Sequence, residues 1–428
     1  MAGLRKVLPL LLVAAVCIGA IAAILLRLPS CPAEEAGIEA LARSVAGAVE
    51  EIRGLEFVEE PRFVVVSREW VIEHWGRAIA QCSTAWLLIY RLTLLVGPGY
   101  NATASAYRFT ASIIAATSGN TVYIVRENFA AGSAFSLIVL AHELTHVLQG
   151  QHFTLPQPET LDQRIALMSL IEGDADLVAE IYAARLNTST GGHACLPTWD
   201  PPLAIMYFPY VYGVVFVRQV YELGGWEIVN SLYERPPTTA LHVLRPDLYL
   251  NGTKPIEPTL NLTALAGPCS PIHRDRLGPA YILALIARYA NLTFAERLAA
   301  EWRGDAVELA ENETHYVLAW CIVWRSRSSA LEFYRAYVEV MAELGGREVV
   351  SGIWRIGGIT VSIWLRGSYV LILSTAYKGL LTPPIPKPLP QLPGLVSWGM
   401  MRGMWRRAAA MTLPASRWRW TLCQALPS

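Results

Sequence analysis

The clearest chemistry in the sequence lies at positions 142–146, His142-Glu143-Leu144-Thr145-His146. Two imidazoles four positions apart project from one face of a helix, and their nitrogens can reach one zinc ion at about 2.0–2.1 Å. Glu143 sits about 100° further round the axis. That places its carboxylate beside such an ion rather than on it, where it can act as general base toward a bound water. The flanking residues Leu137, Ile138, Leu140, Val147 and Leu148 are apolar, so the helix is expected to be packed into a core. With only eight histidines in the chain, an accidental match to this pattern on an apolar helix is improbable.

A catalytic zinc needs a third protein ligand and an open fourth position. Ile171-Glu172-Gly173-Asp174-Ala175-Asp176 offers the ligand. Glu172 and Asp176 share a helix face, and the segment around them carries Leu167, Met168, Leu170, Leu177 and Val178. Carboxylates buried there are costly unless paired. Glu172 is the expected third ligand and Asp176 the partner of a ligating histidine; Asp174 and Glu180 are the substitutes for Glu172. The bland alternative is a solvated acidic face made with Asp162, Asp174 and Glu180. Small residues at Gly173 and Ala175 would let this helix approach a neighbour closely. An oxyanion developing during hydrolysis also needs a donor. Tyr207, Tyr210, Tyr212 and His242 are candidates, each with simple packing as its alternative, and Tyr210 is the first choice. His152 is the nearest residue that could complete a closed, structural site.

HELTH followed by E-x-x-x-D resembles the gluzincins, including thermolysin-like and aminopeptidase-N-like zinc peptidases. The resemblance implies His142, His146 and Glu172 as zinc ligands, Glu143 as the base, and Asp176 as the group that holds the first histidine. Here 25 residues separate His146 from Glu172, against about 18 or 19 in the best-known members; the insertion with Pro156 and Pro158 can absorb the difference. Longer stretches resemble an uncharacterised group of prokaryotic exported HExxH proteins: His142 to Phe153, Leu170 to Ala175, Phe216-Val217 through Trp226, Arg235 to Thr239, and the Trp302 to Trp324 segment. That group often has a Glu and a His after the Pro-Pro segment, where this chain has Leu241 and Arg245.

Several elements are expected to position these residues. Apolar spacing predicts helices over Ala36–Val58, from Ser133 or Ser136 to Gly150, and from Thr160 to about Leu186, the last opened by a capping box. Further helices are expected around Tyr212–Leu223, Pro279–Tyr289 and Ala330–Leu344. Phe63–Val66 and Thr121–Val125 read as strands, the second a candidate edge strand for an extended substrate. Ile353–Leu373 reads as a late hairpin. The stretch from Leu381 to Pro393 is proline-rich, and the Trp/Arg-rich tail has no period.

The 428 residues carry 35 basic and 35 acidic side chains and 53% hydrophobic residues. This excludes global disorder and gives no field pointing to nucleic acid. Val7–Leu26 is uncharged and long enough for one hydrocarbon core. Arg5 and Lys6 before it predict a cytoplasmic N-terminus and an exported bulk. A cleaved signal peptide, or a lipoprotein box at Leu28-Pro29-Ser30-Cys31, would export the chain equally. Six cysteines outside that run are compatible with disulfides or with buried thiols, and six N-x-S/T sequons lean toward an exported, glycosylated surface.

The expected fold is α+β and zincin-like: a small sheet on two metal-bearing helices, a mostly helical C-terminal part and one N-terminal transmembrane helix. Residues 1–28 form the cytoplasmic tip and anchor, 29–380 the extracytoplasmic metallopeptidase region, and 381–428 the linker and tail. The expected reaction is Zn2+-dependent hydrolysis of peptide bonds in a peptide or protein substrate. The second reading is a membrane-anchored binding or assembly factor with a structural or vestigial zinc.

Overall fold

The computed structural model describes residues 32–76, 84–102, 110–190 and 195–381. The expected membrane helix Val7–Leu26, the segment after Leu381, and Cys17, Cys31, Cys82 and Cys423 lie outside the described residues. The chain divides into two compact units, one ending at Ser44 and one running from Val45. Helix α1, Pro32–Arg53, stops five residues before its expected end. Gly54 follows it with φ +70°, the left-handed stop that glycine adopts without a Cβ clash.

The first sheet has three strands: β1, Arg62–Val66; β2, Ala115–Ser118; and β3, Thr121–Val125. Their order is β1-β3-β2, with β1 parallel to β3 and β2 antiparallel to it. Thr121–Val125 is therefore the central strand, which corrects its expected place at the edge. The edges are β1 and Ala-Ala-Thr-Ser of β2, whose small residues carry a weak strand signal. Helix α2 is Thr84–Leu92, and the sheet packs on helix α3, Ala134–His152, through β2 and β3.

After Pro156 and Pro158, helix α4 spans Leu161–Arg185, opened by the capping box of Thr160 and Gln163. Asp275 fixes the same end by accepting the Leu161 N–H at 2.8 Å. Helix α5, Pro201–Glu234, kinks at Gly224-Gly225. It is long and apolar enough to cross a membrane, yet 67% of its most apolar window is buried inside the protein, as in a core helix. The close approach anticipated at Gly173 is made to α5. A methyl on Gly173 would lie 2.3 Å from the Gly213 carbonyl oxygen, and one on Gly213 would lie 2.3 Å from the Ser169 carbonyl oxygen.

The C-terminal part corrects the expectation of a mostly helical region. A seven-stranded antiparallel sheet runs in the order β4-β5-β6-β10-β9-β8-β7. Its strands are β4 Ser270–Asp275, β5 Trp302–Glu311, β6 His315–Trp324, β7 Arg347–Val350, β8 Ile353–Ile356, β9 Ile359–Arg366 and β10 Tyr369–Tyr377. β5 and β6 are buried on both faces along most of their length, so they lack the alternation that reveals a half-buried strand. The late hairpin is present as β9–β10, with β8 added. Helices α6, Gly278–Ala287, and α7, Arg327–Glu343, pack with this sheet. Cys195, Cys269 and Cys321 carry free thiols.

Candidate metal centre

α3 is buried almost throughout, and it presents His142 and His146 one turn apart. Their Nε2 atoms lie 3.0 Å from each other. Glu172 Oε2, from α4, lies 3.2 Å from the first and 3.4 Å from the second. A tetrahedral shell with bonds of about 2.0–2.1 Å has donor atoms about 3.4 Å apart. The three side chains thus form one face of such a shell, and this buried group could bind a metal ion.

The other acids of α4 show why Glu172 is the metal-facing one. Asp162, Glu172, Asp174 and Asp176 are all buried, so the expected alternative of a solvated acidic face is ruled out for them. Asp162 accepts from the Ala240 N–H at 2.8 Å and from Arg276 Nε at 2.9 Å. Asp174, a substitute ligand on sequence grounds, is engaged by Arg53 at 2.8 and 3.2 Å and by the Tyr233 hydroxyl at 2.7 Å. Glu180, the other substitute, pairs with Arg218. Asp176 accepts from His142 Nδ1 at 3.0 Å, as the resemblance implies. Neither oxygen of Glu172 accepts a hydrogen bond of normal geometry. A buried carboxylate left that way costs several kcal/mol, on the order of 1–3 or more, unless a cation answers it.

The electrostatics of the site agree. Burial works against charge on Glu172, but His146 and His142 outweigh it and hold the carboxyl down at about 2. Burial likewise opposes the His142 cation, yet Asp176 and Glu172 lift its pKa to about 10. The surroundings of the three donors thus favour positive charge where they converge, which is what a metal ion would bring.

Glu143 is fully buried beside this triad. Its Oε2 accepts from the Thr117 hydroxyl at 2.8 Å, and the same hydroxyl lies 2.9 Å from the Glu143 carbonyl oxygen. Its Oε1 has no hydrogen-bond partner. Burial pushes the carboxyl up to about 7, against the pull of His146, His142 and Thr117. One oxygen is thus held by β2 and the other is left for chemistry, on a group poised to exchange a proton near neutrality.

Tyr210 reaches the centre from α5. Its ring lies 6.3 Å from that of His142, nearly parallel. Burial keeps its proton on, reinforced by the charges of Glu172, Glu143 and Asp176. Tyr210 stands one turn before Gly213 and Glu172 immediately before Gly173, so the glycine crossing of α4 and α5 sets the separation of the two groups. The rival donors are elsewhere. The Tyr212 hydroxyl donates to Glu296 at 2.7 Å, and His242 Nε2 donates to the Thr253 carbonyl at 2.7 Å. Tyr207 is packed in the core. His152 Nε2 donates to the Glu56 carbonyl at 2.7 Å and is no fourth ligand. Leu241 is buried in the core, and Arg245 forks onto Asp247 at the surface.

Sequence reasoning missed Thr117, Gln149 and Arg53. Thr117 lies on a strand too short to read, and Arg53 is 121 positions from its partner Asp174. Gln149 alone left a signal: a polar residue three positions after His146 on an apolar helix, hence on the same face.

Two family models match parts of the chain. The eCIS core domain matches residues 96–153, which contain β2, β3 and all of α3. A domain of unknown function (DUF8575) matches residues 269–380, the span of the seven-stranded sheet. Glu172 and Tyr210 lie in neither match. No curated protein and no solved structure matches the chain.

Proposed function

We propose that this chain is a zinc-dependent peptidase of the gluzincin type, anchored by Val7–Leu26 with its catalytic region outside the membrane. The observation that carries the reading is the division of labour among the buried acids: Glu172 makes no hydrogen bond of normal geometry and faces two imidazoles, while Glu143 has one oxygen held and one free. A three-stranded sheet beside the helix of His142 and His146, with the third donor on the next helix, supports a zincin-like arrangement.

His142, His146 and Glu172 would hold the metal. Zinc bound there supplies Lewis-acid polarisation of a carbonyl and a water acidic enough to react near pH 7. Glu143 Oε1 accepts the proton of the attacking water, and the same carboxyl then delivers it to the departing amine. Thr117 keeps the carboxylate in one rotamer, so that Oε1 faces the reaction. The Tyr210 hydroxyl, protonated at any physiological pH, donates to the developing oxyanion. A peptide or protein is the substrate, and nucleic acid is not a partner.

The deep burial of both histidines and both glutamates favours a second reading, a binding or assembly factor with a structural metal. Among the described residues the group has three donors rather than the four of a closed structural site. The full-length protein, incubated with a peptide library with and without chelator, separates the two. Chelator-sensitive cleavage that falls 10²–10⁴-fold in Glu143→Gln is expected, the usual contribution of a general base. Cleavage that survives in Glu143→Gln removes the proposed base, and no chelator-sensitive cleavage in either form leaves the structural reading.

A further inference from the structure

The second imidazole has a support that neither the motif nor the family matches assign. His146 Nδ1 lies 2.8 Å from Gln149 Oε1. The Gln149 amide nitrogen donates to the Ile171 carbonyl at 2.9 Å and to Asp174 Oδ2 at 3.2 Å. Asp174 is itself held by Arg53 and by the Tyr233 hydroxyl. Arg53 also donates to Asn230 Oδ1 at 2.7 Å and stacks over Trp226 at 4.5 Å. Gln149, Asp174 and Arg53 are all buried.

This chain fixes an orientation. Both acceptors, a backbone carbonyl and a carboxylate, can take only the –NH₂ end of the amide. The oxygen must therefore face His146, and an oxygen there accepts only from a protonated Nδ1. The other nitrogen, Nε2, is then the lone pair directed at the donor cluster. We propose that Gln149 is the positioning residue of His146, and that Asp174, on sequence grounds a rival ligand or a solvated acid, locks the Gln149 amide through its buried pair with Arg53 so that His146 presents Nε2 to the metal. His142 is served separately, and directly, by Asp176. The two ligands of one motif thus have different supports: a carboxylate for the first, and an amide clamped by an ion pair for the second. The inference rests on the reading that His142, His146 and Glu172 bind a metal.

Full-length protein with ¹⁵N-labelled histidine, loaded with zinc to read the tautomer and titrated from the metal-free form with cobalt(II) to read affinity, tests it. Wild type is expected to show His146 as the Nδ1–H form and to bind cobalt. Gln149→Leu should unfold at a similar temperature when metal-free, lose the single tautomer, and bind cobalt 10–100-fold more weakly, the usual cost of losing an outer partner. Gln149→Glu retains an acceptor for the Nδ1 proton and should recover part of that loss, which a purely packing role would not produce. If wild type binds cobalt and Gln149→Leu binds it as tightly with an unchanged tautomer, the positioning role is wrong while the metal site stands. If wild type binds no cobalt, the metal reading fails and the inference fails with it.

Discussion

The seven-stranded sheet and the helices around the donor cluster both bury acids, but only the helices bury one that is left without a well-formed hydrogen bond. In the sheet, Asp305 is the buried acid of β5. It accepts from Trp320 Nε1 at 2.7 Å and from the Gly278 N–H at 3.3 and 3.4 Å, and nothing in its surroundings asks for a ligand. In α4, Asp162, Asp174 and Asp176 are satisfied in the same manner by Arg276, Arg53 and His142. Glu172 stands out against all four. What separates a candidate ligand from a structural acid in this molecule is therefore the lack of a well-formed hydrogen bond beside two converging imidazoles, since burial is common to both.

The largest effects should come from the tight helix crossing. Gly173→Ala forces its methyl against the Gly213 carbonyl oxygen, 2.3 Å away, and should destabilise the fold by about 3 kcal/mol, the upper range of overpacking. Gly304→Ala meets the Ile256 carbonyl oxygen at 1.9 Å and should cost as much. The regions then part: Gly173→Ala also displaces Glu172 from Tyr210 and should weaken metal binding, whereas Gly304→Ala should leave metal affinity within a few-fold. Chemical denaturation together with a metal titration reads both, and equal affinities in the two variants would dissolve the contrast.

Next is Glu172→Ala, which removes a donor outright. Zinc affinity should drop by more than about a hundredfold, beyond the range for outer partners. Asp176→Ala should fall inside that range, about 10–100-fold, because His142 keeps its place and loses only its partner. Competition with a fluorescent chelator ranks them; a larger loss in Asp176→Ala would exchange their roles.

The smallest effects are in pH. In the metal-free protein His142 has a raised pKa of about 10, so its stabilisation is complete below about 6.5 and is lost as pH climbs through 10. Asp305, pushed up to about 7 by burial, binds a proton better folded than unfolded, so stability falls as pH rises from about 4 to 7 and is flat above. Thermal melts of metal-free protein should show both declines. Asp305→Asn should shrink the lower one to the share of Glu143, which burial also pushes up to about 7, and saturating zinc should remove the upper. A melt curve unchanged by either would mean that these groups carry less of the pH dependence than their burial implies.

How much of this was legible in the sequence depended on whether the informative residues were local. His142, Glu143 and His146 are fixed by helical spacing alone, and Glu172 and Asp176 by their charge on an apolar helix. The capping box at Thr160 and the strand Thr121–Val125 were also local signals. Illegible were the partners that arrive from far along the chain: Arg53 for Asp174, Thr117 for Glu143, and Gly213 for Gly173. The seven-stranded sheet escaped for another reason. Trp302–Glu311 and His315–Trp324 are buried on both faces, and a continuous apolar run does not declare whether it is helix or strand.

The most direct test of the central claim is the metal content of the full-length protein, measured by elemental analysis on wild type and Glu143→Gln purified in parallel. One zinc per chain in both is predicted, because the donors His142, His146 and Glu172 are untouched and Glu143 stands beside the site. No bound metal in wild type would contradict the claim, and zinc lost only in Glu143→Gln would make that carboxylate a ligand instead of the base.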